Sequence, residues 1–251
     1  MPAIILILIS ISVFLMLKLL WFFAPEAVTA AVEQLALPAS GPAQWRHLLS
    51  PLTYMFTHID FWHLLINSLW LAWFGGMLGE VAGKRWVVPL YLGGGVTGAI
   101  FYTAFSSVIL HGLVAPGTML LGGSAATLAV ITATLIITPG RRVTLALIGT
   151  FPLKWIAAVA GVIFILASLE MEPGQTAAHI GGIFAGGIWG TAWMAYTRRK
   201  MKQMKMAAKR SVNQAALLQK VRRNGYASLS RSEKLSLFNL SRHSSDSSSG
   251  T

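Results

Sequence analysis

Six apolar stretches constrain this chain more than any other feature. They run over about 4–23, 60–78, 86–109, 119–138, 152–169 and 175–196. Each is close to the roughly 20 residues that a helix needs to cross the hydrocarbon of a bilayer. Only 11% of the residues are charged, against roughly 25% in an ordinary soluble domain. The expected fold class is therefore all-α: a polytopic membrane protein, built as a bundle of six transmembrane helices. The first stretch lacks a basic leader and a clear cleavage site, so it reads as a retained helix. Lys18, near its far end, can snorkel toward the interface.

The charges orient the bundle. Lys84 and Arg85 stand in the connection 79–85, Arg141 and Arg142 in 139–151, and 13 of the 20 Lys and Arg residues follow residue 197. The opposite connections hold Arg46 alone, then no Lys or Arg in 110–118, then Glu170 and Glu172. An excess of Lys and Arg marks the cytoplasmic side. Both termini are expected in the cytoplasm of a multi-pass protein of the cell (inner) membrane. The second, fourth and sixth stretches then run inward from the outer face.

The division expected is a membrane domain, 1–197, and a basic cytoplasmic tail, 198–251. The net charge of +12 belongs to that tail and not to the body, so it points to anionic lipid head groups as a partner and not to nucleic acid. Within the tail, 214–242 reads as a short helical hairpin turning at Asn224-Gly225. Ser230 and Glu233 have the spacing of a capping box. The last residues, HSSDSSSGT, read as disordered.

Polar and ionisable side chains at membrane depth are expensive and point to function. Three of the stretches carry them, and these are the three that enter from the same side. The second has His58, His63 and Asn67, the fourth has Ser124 within LLGGSAATLAV, and the sixth has His179 within TAAHIGGIFAGG. Each lies within about two turns of the outer end of its stretch, roughly 5–11 Å deep at 1.5 Å per residue. A hydroxyl, two imidazoles and an amide can thus share one plane. Gly182-x-x-x-Gly186 lets two backbones approach closely, and that approach brings Ser124 within reach of His179. A serine beside a histidine is a minimal activated nucleophile. His63 and Asn67 are four apart, on one helix face, and both can donate to a developing oxyanion.

A metal site competes poorly with this reading. His58 and His63 are five apart, about 140° round a helix, and the chain has no HExxH and only eight acidic residues. It also has no cysteine, so neither a disulfide framework nor a thiolate is possible. Neither a metal nor another cofactor is expected. A triad acid is scarce as well, since Asp60, Glu170 and Glu172 are the only outer-side carboxylates close in sequence to the polar residues of the second and sixth stretches.

The ordered set of motifs resembles the rhomboid intramembrane serine proteases of the prokaryotic six-helix type. The resemblance rests on His58, His63 and Asn67 at their spacing, on Gly122-Gly123-Ser124-Ala125, on Ala178-His179 with Gly182 and Gly186, and on Trp45-Arg46 in the first outer loop. It implies a rhomboid-like bundle with Ser124 and His179 as the catalytic dyad. It also implies an oxyanion hole made by His63, Asn67 and the Ser124 N–H, with Gly122, Gly182 and Gly186 packing the helices near the site. Many relatives carry an aromatic residue one turn after the nucleophile, against which the base stacks. Here that position is Leu128, so Gly/Ala packing or another ring must orient His179. The function implied is endoproteolysis of single-spanning membrane proteins near the outer membrane face. The alternative is a catalytically silent rhomboid-like adaptor that binds transmembrane clients. A solute or ion transporter is disfavoured, because the three stretches are predominantly apolar and carry no Asp, Glu, Lys, Arg or His below the polar cluster.

Overall fold

A computed structural model describes residues 2–39, 49–109, 117–145, 149–169 and 173–238. Trp45, Arg46, Glu170, Glu172 and the terminal HSSDSSSGT lie outside the described residues. The chain divides into two compact units, Met1–Met194 and Ala195–Thr251.

The first unit opens with α1, Pro2–Phe23, and α2, Pro25–Leu35. In α1 the buried residues Ala3, Leu6, Ser10, Phe14 and Leu17 recur every three or four positions and form one stripe. The remaining faces expose large apolar side chains such as Ile5, Leu15 and Phe22, a surface suited to lipid and not to water. Pro25 stands at the first turn of α2, where its missing N–H costs nothing. Strand β1, Leu37–Pro38, follows. Then come the single turn α3, Ser50–Thr53, and a 3₁₀ turn, Tyr54–Phe56.

Helix α4, Phe61–Leu78, is started by Asp60, whose carboxylate accepts from the His63 N–H at 2.8 Å. It connects to α5, Val87–Ala104, through a π turn and a 3₁₀ turn that reverse the chain at Gly83, where φ is 103°. Strand β2, Met119–Leu120, precedes α6, Ser124–Ile137. A hairpin of β3, Arg142–Leu145, and β4, Gly149–Pro152, leads to α7, Leu153–Leu169, and then to α8, Pro173–Asn224. The fold is mostly helical, with two small antiparallel sheets, β1–β2 and β3–β4, added to the all-α expectation.

One boundary differs in a way that matters. The hydropathy of 119–138 predicts a helix from its start, but helix begins only at Ser124. Residues 119–120 are extended and pair with Leu37–Pro38, and Gly122 has φ 97°, a left-handed conformation that favours glycine. Ser124 therefore heads its helix and is preceded by a strand and a turn, not by further helical turns. Non-helical backbone at membrane depth is tolerated only where its polar groups are satisfied inside protein. Here the Gly122 N–H donates to the Tyr54 carbonyl at 3.0 Å, and the Ala39 N–H to that of Thr118 at 3.0 Å.

Helix α6 is central: 11 of its 14 residues are buried. It can be so enclosed because its neighbours meet it with glycine. A Cβ on Gly94 would strike Ala129, and one on Gly98 would lie 2.6 Å from the Ala125 Cβ. On α8, a Cβ on Gly182 or Gly186 would run into the carbonyls of Ala125 and Ala129 respectively. At these crossings dispersion between closely placed backbones replaces side-chain interdigitation.

In the second unit, Gly225 takes φ 77° after the helix end at Asn224, and a 3₁₀ turn covers Tyr226–Ser228. A further helix spans 231–238. The Ser230 hydroxyl accepts from the Glu233 N–H at 3.3 Å, and the Glu233 carboxylate accepts from the Ser230 N–H at 2.7 Å. This is the reciprocal pairing of a capping box. Lys220 ion-pairs with Glu233 at 2.9 Å.

Candidate active site

The site is built on the start of α6. The first three N–H groups of a helix have no carbonyl four residues back, and the first bond of this helix runs from the Thr127 N–H to the Gly123 carbonyl at 2.8 Å. The N–H groups of Ser124, Ala125 and Ala126 therefore have no acceptor within the helix, and the helix dipole adds partial positive charge there. Ser124 is 6% exposed. Its hydroxyl oxygen lies 2.7 Å from His179 Nε2, across 55 residues of sequence. With the ring proton on Nδ1, the hydroxyl donates to Nε2 and the imidazole can take its proton as the oxygen attacks. His179 is itself buried, and its Nδ1 meets no hydrogen-bond partner among the described residues. The expected approach of helices thus occurs: Gly182 sits against the Ala125 carbonyl one turn beyond His179, and closes the distance between the two side chains.

The turn before Ser124 is wired to residues 54–58. The Tyr91 hydroxyl donates to the Met55 carbonyl at 3.2 Å, and the Tyr54 hydroxyl to that of Gly95 at 2.7 Å. His58 is 1% exposed. The Gly123 N–H donates to its Nε2 at 3.3 Å, which puts the ring proton on Nδ1, 3.3 Å from the Phe56 carbonyl. His58 is therefore outside α4, before the Asp60 cap, and anchors the serine turn. Its place just before the second apolar stretch reads as interfacial, a snorkelling or loop-anchoring group, but no local signal in the sequence reveals a bond spanning 65 residues.

His63 and Asn67 stand on the first two turns of α4. The His63 ring packs directly on Gly122, where any Cβ would clash with it, and meets the His58 ring at 5.1 Å in a T-shaped contact. This explains why position 122 holds a glycine twice over, for its φ and for the ring. Asn67 is buried, and its amide nitrogen donates to the His63 carbonyl at 2.9 Å. One of its two N–H bonds remains to donate elsewhere. Asp60 is occupied as a helix cap.

The rhomboid-domain family model matches residues 42–196. The chain belongs to the rhomboid family. The match covers the whole of the site, from the segment that carries His58 to the helix that carries His179. The chain is also 28% identical over 158 residues to Rhomboid protein 1, mitochondrial, of Saccharomyces cerevisiae, which covers 61% of this chain. The chain spans 44% of the length of that relative. As a rhomboid protein it is membrane-embedded, and its apolar helices agree. Both α1 and the run Phe61–Ser107 are long and apolar enough to cross a membrane, and Ser124–Ile137 and Leu153–Phe164 are shorter apolar helices.

Proposed function

We propose that this protein is an intramembrane serine endopeptidase that cleaves transmembrane segments near the outer membrane face. The observation that carries the reading is the 2.7 Å separation of Ser124 Oγ and His179 Nε2 at the start of a buried helix. Ser124 attacks the scissile carbonyl, and His179 takes its proton and returns it to the leaving amine. His63, Asn67 and the Ser124 N–H are the donors to the oxyanion. The position of the His63 ring over Gly122, two residues before the serine, supports its share in this. A peptide bond within a lipid-exposed helix is already hydrogen-bonded, so the substrate must unwind locally to be attacked. Single-spanning membrane proteins with small or helix-breaking residues near the outer face suit that requirement.

In this reading the protein crosses the cell (inner) membrane six times, with both termini cytoplasmic. The six crossings are α1, α4, α5, α6, α7 and the first part of α8. Helix α6, at 14 residues, covers only about 21 Å by itself, and the β2 strand and the 122–123 turn complete its passage. The tail is a cytoplasmic appendage whose basic residues meet anionic head groups.

The test is incubation of the purified protein with a panel of transmembrane peptides, with Ser124→Ala as control. Cleavage that disappears in the control supports the reading. Peptide binding without cleavage, unchanged in Ser124→Ala, replaces it with the adaptor.

A further inference from the structure

We infer that Phe164, on α7, is the positioning residue of His179. The inference rests on the functional reading above and explains how that site keeps its imidazole in register. A base in a dyad needs its ring held, because rotation carries Nε2 away from the hydroxyl. In many hydrolases a hydrogen bond to the other ring nitrogen supplies that restraint. Here Nδ1 of His179 is buried with no partner among the described residues, so none of these residues sets the ring plane by a polar contact of that kind. The side chain one turn after Ser124 is Leu128, 2% exposed and without a flat face to offer.

Phe164 supplies the missing surface. Its ring centroid lies 5.9 Å from that of His179 with the planes at 69°, an edge-to-face pair between two side chains each 4% exposed. Such pairs favour one relative orientation because the ring edge and the ring face carry opposite partial charges. The layout of α7 singles this residue out. Its inward stripe is Leu153, Ala157, Ala160 and Phe164, at steps of four, three and four, while Trp155, Val159, Val162 and Leu166 are exposed. The two alanines let α7 come close, and Phe164 is the stripe's aromatic member.

The experiment measures peptide cleavage, the rate of Ser124 labelling by a fluorophosphonate, and thermal unfolding in detergent, for the wild type, Phe164→Leu and Phe164→Tyr. Phe164→Leu is expected to lower kcat about tenfold and to slow labelling in parallel, with KM within about twofold, as the loss of one aromatic pair implies. Phe164→Tyr keeps the ring and is expected to retain most of the wild-type rate. The unfolding midpoints should not track these losses. Should Phe164→Leu fail to fold, Phe164→Met, of similar volume but with no ring, carries the same expectation. Wild-type kcat in the ringless variants overturns the inference while leaving the functional reading intact. A rise in KM at unchanged kcat overturns it too, since Phe164 would then touch substrate and not the base. A wild type that neither labels nor cleaves overturns the functional reading and this inference with it.

Discussion

Gly182 lies directly against the backbone carbonyl of Ala125, so closely that no side chain fits between them. This contact sets the separation of the two helices that carry Ser124 and His179. Carbonyl oxygens of a buried helix cannot swing aside as a flexible side chain can. Gly182→Ala must therefore push α8 away from α6. The expected cost is about 1–3 kcal/mol, the usual range for overpacking, with loss of cleavage as the dyad opens. Thermal unfolding in detergent and a cleavage assay check both parts. Gly187, whose Cβ would meet nothing within 4 Å, is the control: Gly187→Ala should change neither.

The histidines should separate by role. His179→Ala removes the proposed base together with the activation of Ser124, and is expected to lose cleavage and fluorophosphonate labelling as fully as Ser124→Ala. His63→Ala and Asn67→Ala each remove one proposed oxyanion donor, expected to lower the rate by about 10²–10³ and leave measurable cleavage. His58→Ala leaves the Gly123 N–H without its acceptor, so its loss should show first as a lowered unfolding midpoint. Labelling that survives in His179→Ala but is abolished in His63→Ala would reverse the assignment of base and donor.

Topology is checked by single cysteines, since the chain has none of its own. A cysteine near Lys84 or at the C-terminus should react with a membrane-impermeant maleimide only after permeabilisation. One in 110–118 should react from the outside of intact cells. External labelling at residue 251 would invert the proposed orientation.

The second unit should respond to acid. The Glu233 carboxyl is held below its usual range, first by the hydrogen bond from Lys220 and then by that from the Ser230 N–H. A depressed pKa means that the folded state favours the carboxylate, so the contribution is complete above the unfolded value of about 4.3. It is lost as the pH falls through the lower folded value. The backbone shifts of 231–238, followed by NMR, should lose helical character on acidification. In Glu233→Gln, which cannot titrate, this pH-dependent step should be absent.

Much of this protein is legible along the chain because its determinants are local. Hydropathy locates the long apolar helices, and the Ser230–Glu233 spacing locates a helix start, since each is a property of neighbouring residues. The polar residues of the candidate site stand out for the same reason, as costly groups in apolar surroundings. What the tertiary structure decided lies between segments distant in sequence. The fourth apolar stretch starts as a strand because Leu37–Pro38 is there to pair with it, and hydropathy does not distinguish strand from helix in so short a run. His58 anchors the serine turn because its ring nitrogen meets Gly123, 65 residues along the chain. The ring against His179 comes from Phe164 on α7, 40 residues from the serine, and not from the turn after the serine where the family pattern puts it. Sequence determines which side chains are costly to bury, whereas packing of whole helices, through glycines that admit a carbonyl, determines which of them meet.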